Sequence, residues 1–440
     1  MTKHKEFKLH VRQRMERTGE RYTTARAHLL AKLAGSKETA LVTTDSGYAF
    51  APGICRDTGA ARNMLSSLGV RTPGSDEPLS EAMITGIAGG IGFLYIVFEY
   101  KGFPPLLSTL MRYDTSADQF VMNGIDRMGI GAITHETTSA AKAEKTLLAA
   151  LDDNRPVLCV VDAMSLNQIV GPAMLKGNAP KVVCATGYDG DQIVLDTGGS
   201  TPLTISRKDF AQARAAFKKG KNKLLEVPRD ARPENIVSVI HDAIAKTADR
   251  YENAPYKGYA SNFGFAGMRR WAKMLTDDRD LKGWATLFPE GRLACLGLRR
   301  VYEGLTCEMT PPAGGRAMYA EFLREAATLA KHSAYTNAAY AYDTAATHWS
   351  SIATFIADCD IREVRSGCDM IDSYSEMLDA NAIKNGEAEW IKLRDSTASC
   401  DITHEQAMSI YADLARLVEN AIEAETHAAS LLCDAVASVA

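Results

Sequence analysis

Cys55 is the residue of this 440-residue chain whose surroundings best suit nucleophilic chemistry. Pro52 and Gly53 stand just ahead of it. Ala60, Ala61, Met64, Leu65 and Leu68 then recur at three- and four-residue spacings until Gly69 ends the pattern. That spacing predicts a short helix with Cys55 in its first turn. Unpaired N–H groups and the positive end of the helix dipole favour a thiolate there. The same groups would serve as part of an oxyanion hole for acyl transfer. The competing role for Cys55 is that of a buried cysteine in a helix cap.

The elements around it follow from pattern. ALVTTDSGYAF, residues 40–50, reads as a strand or hairpin leading to the cysteine. Ser80 caps a helix opening LSEAMITGI, and FLYIVFEY after it reads as a strand. Gly89, Gly90 and Gly92 lie between the two. They lack the following helix and acidic partner of a dinucleotide fingerprint, so they predict close backbone packing. Residues 137–150 are an amphipathic helix, and RPVLCVVDAM is a buried strand ending at Asp162. VVCATGYDGDQIVLDTGG is a hairpin whose turn is Asp189-Gly190, with Asp196 closing its second strand. Ser206 and Asp209 form an approximate capping box for the next helix. Glu81 and Glu99 are each read as a helix-surface or capping carboxylate, or as a group orienting substrate in a cleft. His135, in GAITHETT, is a loop histidine and a candidate base.

Composition narrows the class. The chain is 46% hydrophobic and 24% charged, with formal net charge -4, which suits a globular protein of two or three domains. That balance gives no electrostatic case for nucleic acid. The nine cysteines are scattered and form no C-x-x-C, so neither a disulfide framework nor a zinc site is expected, and a reducing cytoplasm is. No secretory signal or membrane-spanning run is read in the sequence. Residues 1–35 are expected to be helical, and the interspersed glutamates make a solvated face of their arginines. Residues 220–232, with Pro228, read as a linker, and from 233 the chain is mostly helical. The expected division is 1–35, 36–225 and 233–440.

The order of these pieces is similar to papain-like and C39-like cysteine folds. More closely, it resembles the family of the butirosin biosynthesis protein BtrH. Cys55, Ala61, Leu65, Ser80-Glu81, Gly90-Ile91-Gly92-Phe93-Leu94-Tyr95 and Gly187-Tyr188-Asp189 carry the resemblance in the first part. Gly314, Gly315, Arg316, Tyr319, Ala320, Phe322, Leu323, Glu325, Ala326 and Ala327 carry it in the partner domain. The resemblance implies an α+β fold, a papain-like cysteine-peptidase-like domain followed by a largely helical domain. It also implies acyl transfer from a phosphopantetheine thioester on an acyl carrier protein to a small-molecule or peptide amine, with no bound cofactor or metal.

One position departs from that pattern. The imidazole expected before G-Y-D is replaced by Lys181, so the triad reads Cys55, Lys181, Asp196 or is broken. A lysine serves as base only if burial lowers its pKa by several units. Altered chemistry, a base from elsewhere such as His135, and a degenerate site kept for binding all remain open. Glu81, Tyr95, Glu99, Tyr188 and Arg316 complete the candidate site as substrate-binding residues. An amidase or peptidase-like hydrolase and a non-catalytic scaffold are the alternative functions. A homodimer is expected from the long amphipathic C-terminal helix.

Overall fold

The computed structural model describes residues 42–43, 47–110, 112, 117–307 and 312–438. The helical segment expected over residues 1–35 lies outside them. A short hairpin, β1 (Val42–Thr43) with β2 (Ala49–Phe50), leads into α1 (Arg56–Ser67) and then α2 (Glu81–Ala88). The Ser80 hydroxyl accepts from the Met83 N–H and caps α2, as its position predicts. A second hairpin, β3 (Leu94–Phe98) with β4 (Leu106–Leu110), stands apart from the main sheet and is followed by α3 (Ala117–Arg127).

The main sheet collects β5 (Ile133–His135), β6 (Val157–Asp162), β7 (Pro180–Asp189), β8 (Gln192–Asp196), β9 (Leu203–Ser206) and β10 (Leu224–Glu226). Its six strands run in the order β5-β10-β6-β7-β8-β9, and every pairing is antiparallel. Alternation along the strands divides its side chains between two cores. Leu158, Val160, Val182 and Cys184 join Ala60, Ala61, Met64 and Leu65 of α1. Val157, Cys159, Val161, Val183 and Ala185 join α4 (Ala140–Asp152) and α5 (Arg207–Ala216) through Leu147, Ala150, Phe210 and Ala213. The β7–β8 turn falls at Gly190-Asp191, where Gly190 has φ +55°.

After β10 the chain is helical: α6 (Ile236–Asp249), α7 (Gly264–Thr276), α8 (Trp284–Leu287), α9 (Gly291–Thr306), α10 (Arg316–Ala330), α11 (Ala334–Ala357), α12 (Arg362–Asp379), α13 (Gly386–Asp395) and α14 (His404–Ala437). The stripe Phe265, Met268, Trp271 and Leu275 is buried, as its spacing predicts. This helical part packs on the same core as α1 and α2. The chain thus joins a papain-like sheet-and-helix arrangement to an almost wholly helical partner. No helix among the described residues is long and apolar enough to cross a membrane.

Candidate active site

Cys55 is the N-cap of α1, one residue ahead of the position its spacing predicts, with extended backbone. The Gly59 N–H donates to the Cys55 carbonyl at 2.8 Å and closes the first helical turn. Two close backbone approaches set this turn in place. A Cβ on Gly59 would lie 2.6 Å from the Gly53 Cα. A Cβ on Gly198, which has φ +76°, would fall 1.8 Å from the Arg56 carbonyl oxygen. Glycine is needed at both, so the loop after β8 meets the cysteine turn backbone to backbone.

Cys55 is buried, and the neighbours of its sulfur are ionic. Its thiol donates to Asp57 Oδ1 at 3.1 Å. Arg112 Nη2 donates to Asp57 Oδ2 at 2.8 Å, and Arg112 Nη1 lies 4.0 Å from the sulfur. Burial, then the Asp57 charge, raises the Cys55 thiol well above its ordinary value, and Arg112 opposes them without prevailing. A lowered thiol was expected at a helix start, but burial reverses the sign, and the carboxylate of the second helical residue adds to it. Burial also works to raise Asp57. The Arg112 charge and hydrogen bonds from Arg112, Cys55 and Thr58 outweigh it and hold that carboxyl below its usual range.

A test of this balance is Asp57→Asn. Removing the carboxylate leaves Arg112 as the charge beside the sulfur. Iodoacetamide labelling of Cys55 at pH 8 then speeds up by about tenfold or more, one unit of thiol pKa being a factor of about ten in thiolate. An unchanged rate, followed by intact mass, would refute the charge balance described here.

Glu81 holds the start of α1 rather than orienting a substrate. Its Oε1 accepts from the Cys55 N–H at 2.8 Å and from Thr58 Oγ1 at 2.9 Å, and its Oε2 accepts from the Ile54 N–H at 2.9 Å. Arg62 Nη1 stands 3.4 Å from Oε2. Burial raises the Glu81 carboxyl despite these partners. The N–H groups of Ile54 and Cys55 are therefore committed to a side chain.

Lys181 and Asp196 do not meet. Register pairs Val161 with Lys181 and Cys184 with Asp196. No hydrogen bond or ion pair among the described residues joins Lys181 to Asp196, while the charges felt by the Lys181 amine are those of Arg56, Asp57, Asp379 and Cys55. Asp196 takes the face of α1, where it accepts from Tyr48 Oη and Asn63 Nδ2, each at 2.8 Å, and from the Gly198 N–H at 2.7 Å. It fastens α1 and β2 to the sheet and orients neither Cys55 nor Lys181. Burial raises its carboxyl. Lys181 donates to Gln168 Oε1 at 2.9 Å. Its amine is pushed down to about 7, first by burial and then by the Arg56 charge, with Asp57, Asp379 and Cys55 opposing. The large lowering that a catalytic lysine would require is thus present.

Four other candidates lie elsewhere. His135 pairs with Glu226 at 3.0 Å on β5, an edge strand. Three strand spacings, about 14 Å, separate that strand from β7. Glu99 pairs with Lys282 beyond the Phe98 end of β3, opposite the end near which Arg112 follows β4. Tyr95 is buried and accepts from Trp284 Nε1 at 3.1 Å. Tyr188 is exposed near the β7–β8 turn and donates to Asp152.

Arg316 is fully buried and paired with Glu425 at 2.7 Å, not with Glu321 or Glu325. It also donates to the carbonyls of Gly314 at 2.8 Å and Gly92 at 2.9 Å. Its bond to Gly92 ties the helical part to the strand-bearing part.

Residues that the sequence reading passed over complete the site. The end of α12 covers the cysteine turn: Asp379 Oδ1 accepts from Arg56 Nε at 2.9 Å, and its carbonyl accepts from the Ser200 N–H at 2.7 Å. Gln168 Nε2 donates to Asn381 Oδ1 at 2.8 Å, which also accepts from Thr197 Oγ1 at 3.1 Å. Lys181, the loop after β8 and the helical part thereby share one polar network.

Residues 55–197 match the family of the butirosin biosynthesis protein H N-terminal domain, and residues 208–391 match a domain of unknown function, DUF4872. No curated protein matches the chain.

Proposed function

We propose, for a chain made of a butirosin biosynthesis protein H N-terminal domain followed by a DUF4872 domain, a cysteine-dependent acyltransferase. It moves an acyl group from a thioester, carried on the phosphopantetheine of an acyl carrier protein, to an amine on a small molecule or peptide. The observation that carries this reading is the placing of the Cys55 thiol at the start of α1 against the Asp57–Arg112 ion pair. A cysteine kept only for packing has no use for an ion pair at its sulfur.

In the first step Cys55 Sγ attacks the thioester carbonyl. A new C–S bond forms, the bond to the carrier sulfur breaks, and the thiol proton ends on the departing carrier thiol. Lys181 is the base assigned to that proton. Its amine is about half neutral at pH 7, whereas Asp57 is held in the range of a weaker base. Lys181 must release Gln168 to take part. In the second step the amine attacks the acyl-cysteine, forms the amide and returns the proton to Sγ. Covering by α12 favours transfer over hydrolysis, because it keeps water from the acyl-cysteine.

The test is intact-mass detection of an acyl adduct on Cys55 after mixing with acyl thioesters, followed by its discharge on adding amines. The adduct is expected in the natural protein and absent in Cys55→Ala. An adduct that decays equally fast without amine points to the hydrolase, and no adduct with any thioester sinks the catalytic reading. A binding role with a degenerate site is the second reading, favoured by the raised thiol and by the lysine standing where the related pattern has histidine.

A further inference from the structure

We infer that the Arg112 guanidinium, and not the N–H groups of Ile54 and Cys55, holds the oxyanion of the acyl transfer proposed above, on which this assignment rests. The N–H groups of Ile54 and Cys55 are bonded to the two oxygens of Glu81. That carboxylate is buried and is further tied to Thr58 and Arg62. It is a fixed part of the turn, so an oxygen gaining negative charge there would meet a buried carboxylate at close range.

The other side of the sulfur carries the Asp57–Arg112 ion pair, whose Asp57 Oδ1 accepts from the thiol at 3.1 Å. Arg112 Nη1 lies 4.0 Å from Sγ. Its Nη2 is anchored to Asp57 Oδ2 at 2.8 Å, and the Phe120 ring lies 4.2 Å from the guanidinium carbon. Ion pair and ring together fix the plane of the fork. When Sγ bonds to the thioester carbon, the carbonyl π pair moves onto oxygen, two bonds from the sulfur. A donor at the distance of Nη1 is placed to reach that oxygen. The pair then returns to re-form the carbonyl as the bond to the carrier sulfur breaks. Asp57 aims the guanidinium, and its charge keeps the buried cation paired.

The test compares two reactions of the same sulfur in the full-length protein. The acetyl thioester of N-acetylcysteamine is attacked at a carbonyl and forms an oxyanion. Iodoacetamide is attacked at a saturated carbon and forms none. Both rates are followed by intact mass at several pH values and compared as a ratio at each, which cancels any effect of Arg112 on the thiolate fraction. Arg112→Met is expected to slow acetylation by about 100-fold or more relative to alkylation. Arg112→Lys keeps a point charge without the fork, and is expected to slow acetylation by roughly tenfold relative to alkylation. Circular dichroism checks the fold, and the lysine variant decides if the methionine variant does not fold. Equal losses in both reactions overturn the assignment and leave the acyltransferase reading in place. A natural protein that iodoacetamide labels but the thioester never acylates ends both.

Discussion

Methionine in place of Arg316 lowers the unfolding free energy by about 3–5 kcal/mol, because it strands a buried carboxylate. Glu425 is fully buried and accepts from Arg316 Nη2 at 2.7 Å, from Trp349 Nε1 at 2.8 Å and from the Tyr251 hydroxyl. The Arg316 cation answers its charge, and the guanidinium also satisfies two backbone carbonyls, at Gly92 and Gly314. Leucine in place of Glu425 costs a similar amount, since it strands the cation instead. The double variant Arg316→Met with Glu425→Leu recovers much of the loss, because no buried charge is left unpaired. Urea unfolding of the four proteins measures the cycle. Single losses near zero would show that the pair is replaceable packing.

Methionine in place of Lys181 has the opposite sign. The folded amine sits at about 7 against an ordinary 10.5, so the unfolded chain binds more protons between those pH values. Stability therefore rises with pH from about 7 to 10.5, and the burden of the buried cation is greatest and constant below 7. A shift of that size corresponds to a burden on the order of 4 kcal/mol at pH 7. The variant removes it but leaves Gln168 Oε1 without its donor, which costs about 1–2 kcal/mol. The net expectation at neutral pH is a gain of about 2–3 kcal/mol. The difference between the two proteins should shrink and then reverse as pH climbs past 10. Urea unfolding at pH 6, 7.5, 9 and 10.5 reads it, and parallel curves would show that the amine is charged at all of these. A residue that weakens the fold at working pH is consistent with the catalytic task assigned to it.

Local rules made much of this fold legible. Ser80 and Ser206 cap because each precedes a helical pattern, and the hairpin turns at Gly190-Asp191, one residue on from the Asp189-Gly190 pair expected, because glycine accepts a positive φ there. The continuous buried run of β6 and the buried stripe of α7 follow from the apolar pattern alone. The cysteine turn was legible for the same reason, since its glycines and apolar spacing lie within a few residues of the sulfur.

Its electrostatics were not. Arg112 lies 57 residues away, beyond a hairpin whose packing no spacing rule gives. Glu81 could be placed in a helix, but not opposite the N–H groups of another one. Lys181 and Asp196 take partners that the sequence did not offer, Gln168 for the amine and Tyr48 and Asn63 for the carboxylate. A sequence pattern gives order along two strands, but which side chains meet depends on register, and register appears only when the strands are paired.

The ion pair from Arg56 to Asp379 joins residues 323 positions apart, and Arg56 directly follows Cys55. Any displacement of the end of α12 is therefore carried to the very turn that holds the sulfur, and an injury at Asp379 is felt at Cys55 without ever touching it.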